Sequence, residues 1–227
     1  MNHNISISHA FSEAWKLFKN KKRFLILAAL TSGVIMGIIQ FLTARLEDST
    51  VGTFIITIVS IIVGIAISLA WANTTIKIVR GNSQEWEDIK TPYQNWWKFF
   101  IAQLLYAIPL VLVFFLGIIL VGISGGVLPV LIAVIALALA VSIYITIRFM
   151  FLALVAVENP SLGPVKLLKK SAKITKDHFL DLIGFHVVAF FLNLLGFICL
   201  GVGLLVTIPV TLVAKSYIYN RITNHQD

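Results

Sequence analysis

Apolar positions gather into six long runs, 24–42, 51–71, 99–121, 127–147, 179–200 and 204–219, with polar connections between them. Each run approaches the about 20 residues that a helix needs to cross roughly 30 Å of hydrocarbon. A backbone in lipid must satisfy its own hydrogen bonds, so each run predicts a helix, even the β-branched stretch 53–67. Barrel strands would alternate apolar with polar residues, and these runs do not. The pattern therefore predicts an all-α integral membrane protein, one transmembrane domain over residues 1–227 whose six helices pair as three hairpins.

A second periodicity precedes the hairpins. In 8–20, Phe11, Ala14, Trp15 and Phe18 follow the i, i+3, i+4, i+7 spacing of one helix face, and Ser12, Lys16 and Lys19 take the other, with Ser8 as the expected cap. In 164–176, Pro164 suits a first helical turn, Leu167, Leu168, Ser171, Ala172 and Thr175 form a weakly apolar face, and Lys166, Lys169, Lys170 and Lys173 form a basic stripe. A looser segment, 83–97, carries Trp86, Ile89, Tyr93, Trp96 and Trp97. These three amphipathic, interfacial segments read as an internal repeat, with SEAWKLFKN aligning on KKSAKITKD. Hairpins that all start from one side give parallel copies about an axis along the membrane normal.

Composition agrees. With 59% hydrophobic and 12% charged residues the chain is far from the about 25% charged of soluble domains. The net charge of +8 reads as topological rather than as a nucleic-acid footprint, because the Lys and Arg residues flank the apolar runs. Of the eighteen, only Arg45 falls in the alternate loops, which otherwise hold GISGG and a GVG turn. The positive-inside rule then sets both termini in the cytoplasm, and the five tryptophans, including Trp15 and Trp71, belong to the same side as headgroup anchors. The N-terminus lacks the basic-then-apolar order of a cleavable signal, so the first helix is expected to stay in the mature protein. The lone Cys199 allows no intrachain disulfide and no thiolate metal cluster.

The C-terminal stretch PVKLLKKSAKITKDHFLDLIGF and the following NLLGFICLGVGLLVTIPVTLVAKSYIYNRI carry Lys170, Ser171 and Lys176, a turn with Gly196, Gly201 and Gly203, then Pro209 and Tyr219. Over about the last 60 residues they resemble bacterial membrane families that include the membrane domain of some glycerophosphoryl diester phosphodiesterases and its stand-alone six-helix relatives. The resemblance implies a membrane module of a bacterial plasma (inner) membrane. It implies no activity, because those enzymes carry catalysis in a separate soluble barrel rich in His, Glu and Asp.

Ionisable residues inside spans are functional candidates because burying them is costly. His186 and Asn193 share a face of the fifth span, where interhelical hydrogen bonds compete with a proton relay or polar ligand contact; Gln103 joins them as an intramembrane polar candidate. His178 and Asp181 have i, i+3 spacing, but two ligands make no zinc site, so no metal and no cofactor are expected. Arg148 interrupts the apolar stretch 127–157, whose 31 residues as one helix would reach about 46 Å. It either snorkels on a helix that protrudes into the cytoplasm or binds a lipid phosphate in a crevice; Lys215 is able to snorkel in the same way. Gly33 and Gly37 form a GxxxG suited to close helix approach, and Pro109 is the expected kink.

The stripe Lys166, Lys169, Lys170 and Lys173 is the strongest feature, since each cation near a membrane surface attracts anionic lipid by about 1 kcal/mol. The expected function is a non-enzymatic multi-pass module engaging anionic headgroups or a protein partner. The alternative is a small transporter or channel for a lipid-like or small organic solute, with His186, Asn193 and Gln103 lining its crevice. An intramembrane enzyme would need a nucleophile with its base or a metal set, and neither is present in the sequence.

Overall fold

The computed structural model describes residues 6–46, 48–82, 96–199 and 201–224. Over these residues the chain forms eight helices: α1 (Ile7–Arg45), α2 (Thr50–Val79), α3 (Trp96–Ile123), α4 (Leu128–Arg148), α5 (Leu152–Glu158), α6 (Pro164–Lys176), α7 (Phe179–Ile198) and α8 (Leu204–Asn224). Five stretches are long and apolar enough to cross a membrane: α1, α2, α3, α7, and the run from α4 through α5. This marks a membrane protein. The segment 83–97 lies outside the described residues except for Trp96 and Trp97, which open α3.

α1 joins the expected first amphipathic segment to the first span in one helix, interrupted at Lys21 (φ −120°, ψ 21°). Lys19, Lys22 and Arg23 crowd like charges at i+3 and i+4 there, which weakens the helix locally. The cap is Ser6 rather than Ser8: its hydroxyl accepts the His9 N–H at 3.4 Å. Ser49 caps α2 in the same way, and Pro164 occupies the first turn of α6 as expected.

Three expectations are corrected. The stretch 127–157 does not protrude as one straight rod. The helix ends at Arg148, residues 149–151 turn, and α5 tucks into the core with Phe151 and Val155 fully buried. Gly33 and Gly37 meet no atom within 4 Å of an added Cβ, so they mark no helix contact. The close glycine approach is instead Gly203 on Gly196, where a Cβ on Gly203 would lie 2.7 Å from the Gly196 Cα. Trp71 is no headgroup anchor, since its indole donates to Ser32 on α1 at 3.2 Å inside the bundle.

α8, expected as the sixth span, is not among the helices apolar enough to qualify on composition. The reason is its position. It packs against α1, α2 and α7, and Pro209, Val210, Val213, Ala214, Ser216, Ile218, Tyr219 and Ile222 are buried. A helix surrounded by protein does not need a uniformly apolar surface. The consecutive pairs α1/α2, α3/α4 and α7/α8 also pack together, and α5 and α6 pack on each other, α5 against α2 and α6 against α3 and α4.

Candidate functional site

The C-terminal ends of α2 and α8 lie side by side, because the Arg80 Nε donates to the Asn220 side-chain oxygen at 3.0 Å. The Arg80 guanidinium also pairs with Glu158 at the end of α5. The other Glu158 oxygen accepts the Tyr219 hydroxyl at 2.7 Å, and Tyr219 itself is fully buried. One carboxylate thus ties three helices together through an ion pair and a charge-assisted hydrogen bond.

α6 lies across this cluster. Leu167, Ser171, Ile174 and Thr175 are its buried residues, and the Thr175 hydroxyl donates to the Arg148 carbonyl at 3.1 Å. Its lysines are all exposed. The stripe divides. Lys169, Lys170 and Lys173 line a cleft of about 560 Å³ together with Arg80, Glu158, Asn159 and Tyr219, whereas Lys166 lies outside it. Lys170 is oriented by the Asn159 side-chain oxygen at 2.7 Å, and Lys98 at the start of α3 braces the neighbouring loop through the Pro160 carbonyl at 2.8 Å. Three lysines therefore line the cleft beside one carboxylate, and that carboxylate is already engaged by Arg80 and Tyr219. Such a cleft favours an oxyanion such as a phosphate, with the lysines acting as point charges.

The other expected residues are dispersed. Arg148 ends α4 outside the cleft, and its role there is the carbonyl that holds Thr175. His186 donates from Nδ1 to the Leu182 carbonyl of its own helix at 2.8 Å. Asn193 reaches the Thr211 hydroxyl of α8 at 3.5 Å, an interhelical contact beside the Gly196–Gly203 approach. Gln103 is half-buried on α3 and joins neither of them. His178 and Asp181 stand 3.9 Å apart. Lys215 lines a separate cavity between α2, α5 and α8.

Sequence reasoning did not single out Glu158 or Arg80 as partners. Glu158 left a signal: it is an acidic residue closing a long apolar run on the side where the basic residues collect. What the sequence could not supply was the turn at 149–151 that carries it back to Arg80.

No curated protein and no solved structure matches this chain. A family model described as a protein of unknown function, DUF975, matches residues 8–226, and the chain belongs to that family.

Proposed function

We propose that the protein is a non-enzymatic multi-pass module of a bacterial inner membrane that holds the phosphate of an anionic lipid in the α2–α5–α6–α8 cleft. In this reading both termini and the cleft face the cytoplasm, and the three pairs α1/α2, α3/α4 and α7/α8 are repeated hairpins with amphipathic segments ahead of them. The observation that carries it is the excess of cations in the cleft: Lys169, Lys170 and Lys173 beside a Glu158 already paired with Arg80 and bonded by Tyr219. The position of these cations at the helix ends, beside the apolar spans, suits headgroup level. The resemblance of the C-terminal part to membrane domains without catalysis of their own is in keeping with this role.

The transporter alternative finds less support. His186, Asn193 and Gln103 line neither the basic cleft nor the cavity around Lys215.

Native mass spectrometry of the full chain released from nanodiscs of mixed phosphatidylglycerol and phosphatidylcholine tests the proposal. Wild type retains phosphatidylglycerol stoichiometrically. At about 1 kcal/mol per lysine, the triple change Lys169→Gln, Lys170→Gln, Lys173→Gln weakens that retention about 100-fold. Lys166→Gln, outside the cleft, leaves it near wild type. Equal retention in the triple variant would sink the proposal.

A further inference from the structure

A second feature is independent of the lipid cleft. Lys215 stands on α8 one turn before Tyr219, and it lines a cavity of about 130 Å³ with Ser68, Trp71 and Thr75 of α2, Ala153 and Leu154 at α5, and Leu212 and Ser216 of α8. Lys215 is half-buried, lines this cavity and meets no carboxylate among the described residues. A cation held without a counter-charge among apolar helices is expensive.

Lys215 is not arranged to escape by snorkelling. The Cα–Cβ bonds of a helix tilt toward its N-terminus, so on α8 the lysine stem starts away from the end that holds Tyr219, Asn220 and Arg80. The cavity extends the same way. Ser216 donates to Thr75 at 2.7 Å, which sets the level of the two helices, and Ser68 lies seven residues earlier on α2, about 10 Å deeper. From Ser68 to Arg80 the helix runs about 18 Å. Thr75 spends its proton on the Trp71 carbonyl at 2.7 Å, and the Trp71 indole spends its own on Ser32. The Ser68 hydroxyl donates to no protein acceptor among the described residues, and it lines the cavity that Lys215 lines.

We propose that Lys215 and Ser68 bind one carboxylate group inside this cavity. The charge selects a monoanion, because a single cation leaves a dianion uncompensated in a site with no other charged group. A cavity of about 130 Å³ has room for a carboxylate group. The group is the end of a fatty acid arriving from the bilayer or a free short carboxylate. On the far side of Trp71 an apolar groove of about 260 Å³ between α1 and α2, lined by Ile35, Ile62 and Ala66 among others, is the kind of surface an acyl chain takes.

The full chain in phosphatidylcholine nanodiscs, without anionic lipid, is titrated with carboxyl-¹³C oleate and separately with carboxyl-¹³C acetate, and the ¹³C signal is followed. One saturable site for oleate assigns the bilayer as the source, and one for acetate assigns the aqueous phase. In either case Lys215→Gln weakens the site at least tenfold and Lys215→Arg retains it. Saturable binding that survives Lys215→Gln belongs to the lysine cleft or elsewhere and overturns the proposal, as does the lack of saturable binding for both probes. Should Lys215→Gln fail to fold, Ser68→Val keeps the charge and removes the hydroxyl: binding weakened several-fold upholds the site, and unchanged binding overturns it.

Discussion

α8 and the α3/α4 pair are built from similar lengths of helix and solve opposite problems. On α3, Val111, Leu112, Phe114, Phe115, Leu116, Ile118 and Ile119 all point outward, and the two helices meet closely where Gly117 admits Val134. On α8 eight positions from Pro209 to Ile222 are buried and only Arg221 is exposed, and the buried residues include Ser216 and Tyr219. Lipid is as apolar as leucine, so an outward leucine gains nothing by moving inward, and close fit and hydrogen bonds must decide what packs. Apolarity therefore marks where the protein ends, while the less apolar helix marks its centre.

Phenylalanine truncation at the two places gives the largest contrast. Phe151, in the turn before α5, is fully buried and packs at a tilt against Tyr219 with ring centres 5.4 Å apart. Phe151→Ala is expected to cost about 3–5 kcal/mol through the cavity it leaves. Phe115 on α3 is 59% exposed, and Phe115→Ala is expected to change stability by about 0.5 kcal/mol or less. Thermal or SDS unfolding of both variants in one detergent measures the difference, and equal losses would erase the contrast between centre and edge.

A smaller effect isolates one hydrogen bond. Tyr219→Phe removes the hydroxyl that donates to Glu158 and leaves the ring in place, at an expected cost of about 2 kcal/mol for a bond to a charged acceptor. Tyr144→Phe on α4, where the tyrosine is 54% exposed beside Phe179, should be close to neutral. A double-mutant cycle of Tyr219→Phe with Glu158→Gln measures the coupling directly. Additive losses would mean that the carboxylate does not organise this end of the molecule.

The contrast also explains what was legible beforehand. Long apolar runs and the lysine stripe of 164–176 were readable, because lipid-facing surfaces and solvated stripes follow one-dimensional patterns. The centre was not readable. Arg80 and Glu158 lie far apart in sequence, and their pairing depends on the turn at 149–151, which interrupts apolar residues with no glycine or proline to announce it. The GxxxG of Gly33 and Gly37 misled for a related reason: spacing shows that a close approach is sterically allowed, and the partner that made one was the pair Gly196 and Gly203 across a turn.

The smallest effect compares two acid–base pairs. Glu13 and Lys16, one turn apart on the exposed start of α1, meet at 2.7 Å, with both side chains in contact with water. The hydrogen bond from Lys16 holds the Glu13 carboxyl below its ordinary value, and the same bond raises the Lys16 ammonium. For the depressed acid, any stability the pair contributes is present above the unfolded glutamate value of about 4.3 and is lost as pH falls through the lower folded value. For the raised base it is present below the unfolded lysine value of about 10.4 and is lost as pH rises through the higher folded one. The pair is therefore intact across neutral pH, yet water screens it and ordering two mobile side chains offsets much of the attraction. Lys16→Gln should move the Glu13 midpoint upward in a ¹³C carboxyl titration while the melting temperature at pH 7 stays where it was. An unmoved midpoint would mean that the contact is not made in solution. A lowered melting temperature would mean that the start of α1 is held by this surface pair, as the far end of α2 is by Arg80 and Glu158, rather than by Ala10, Ala14 and Phe18 in the core.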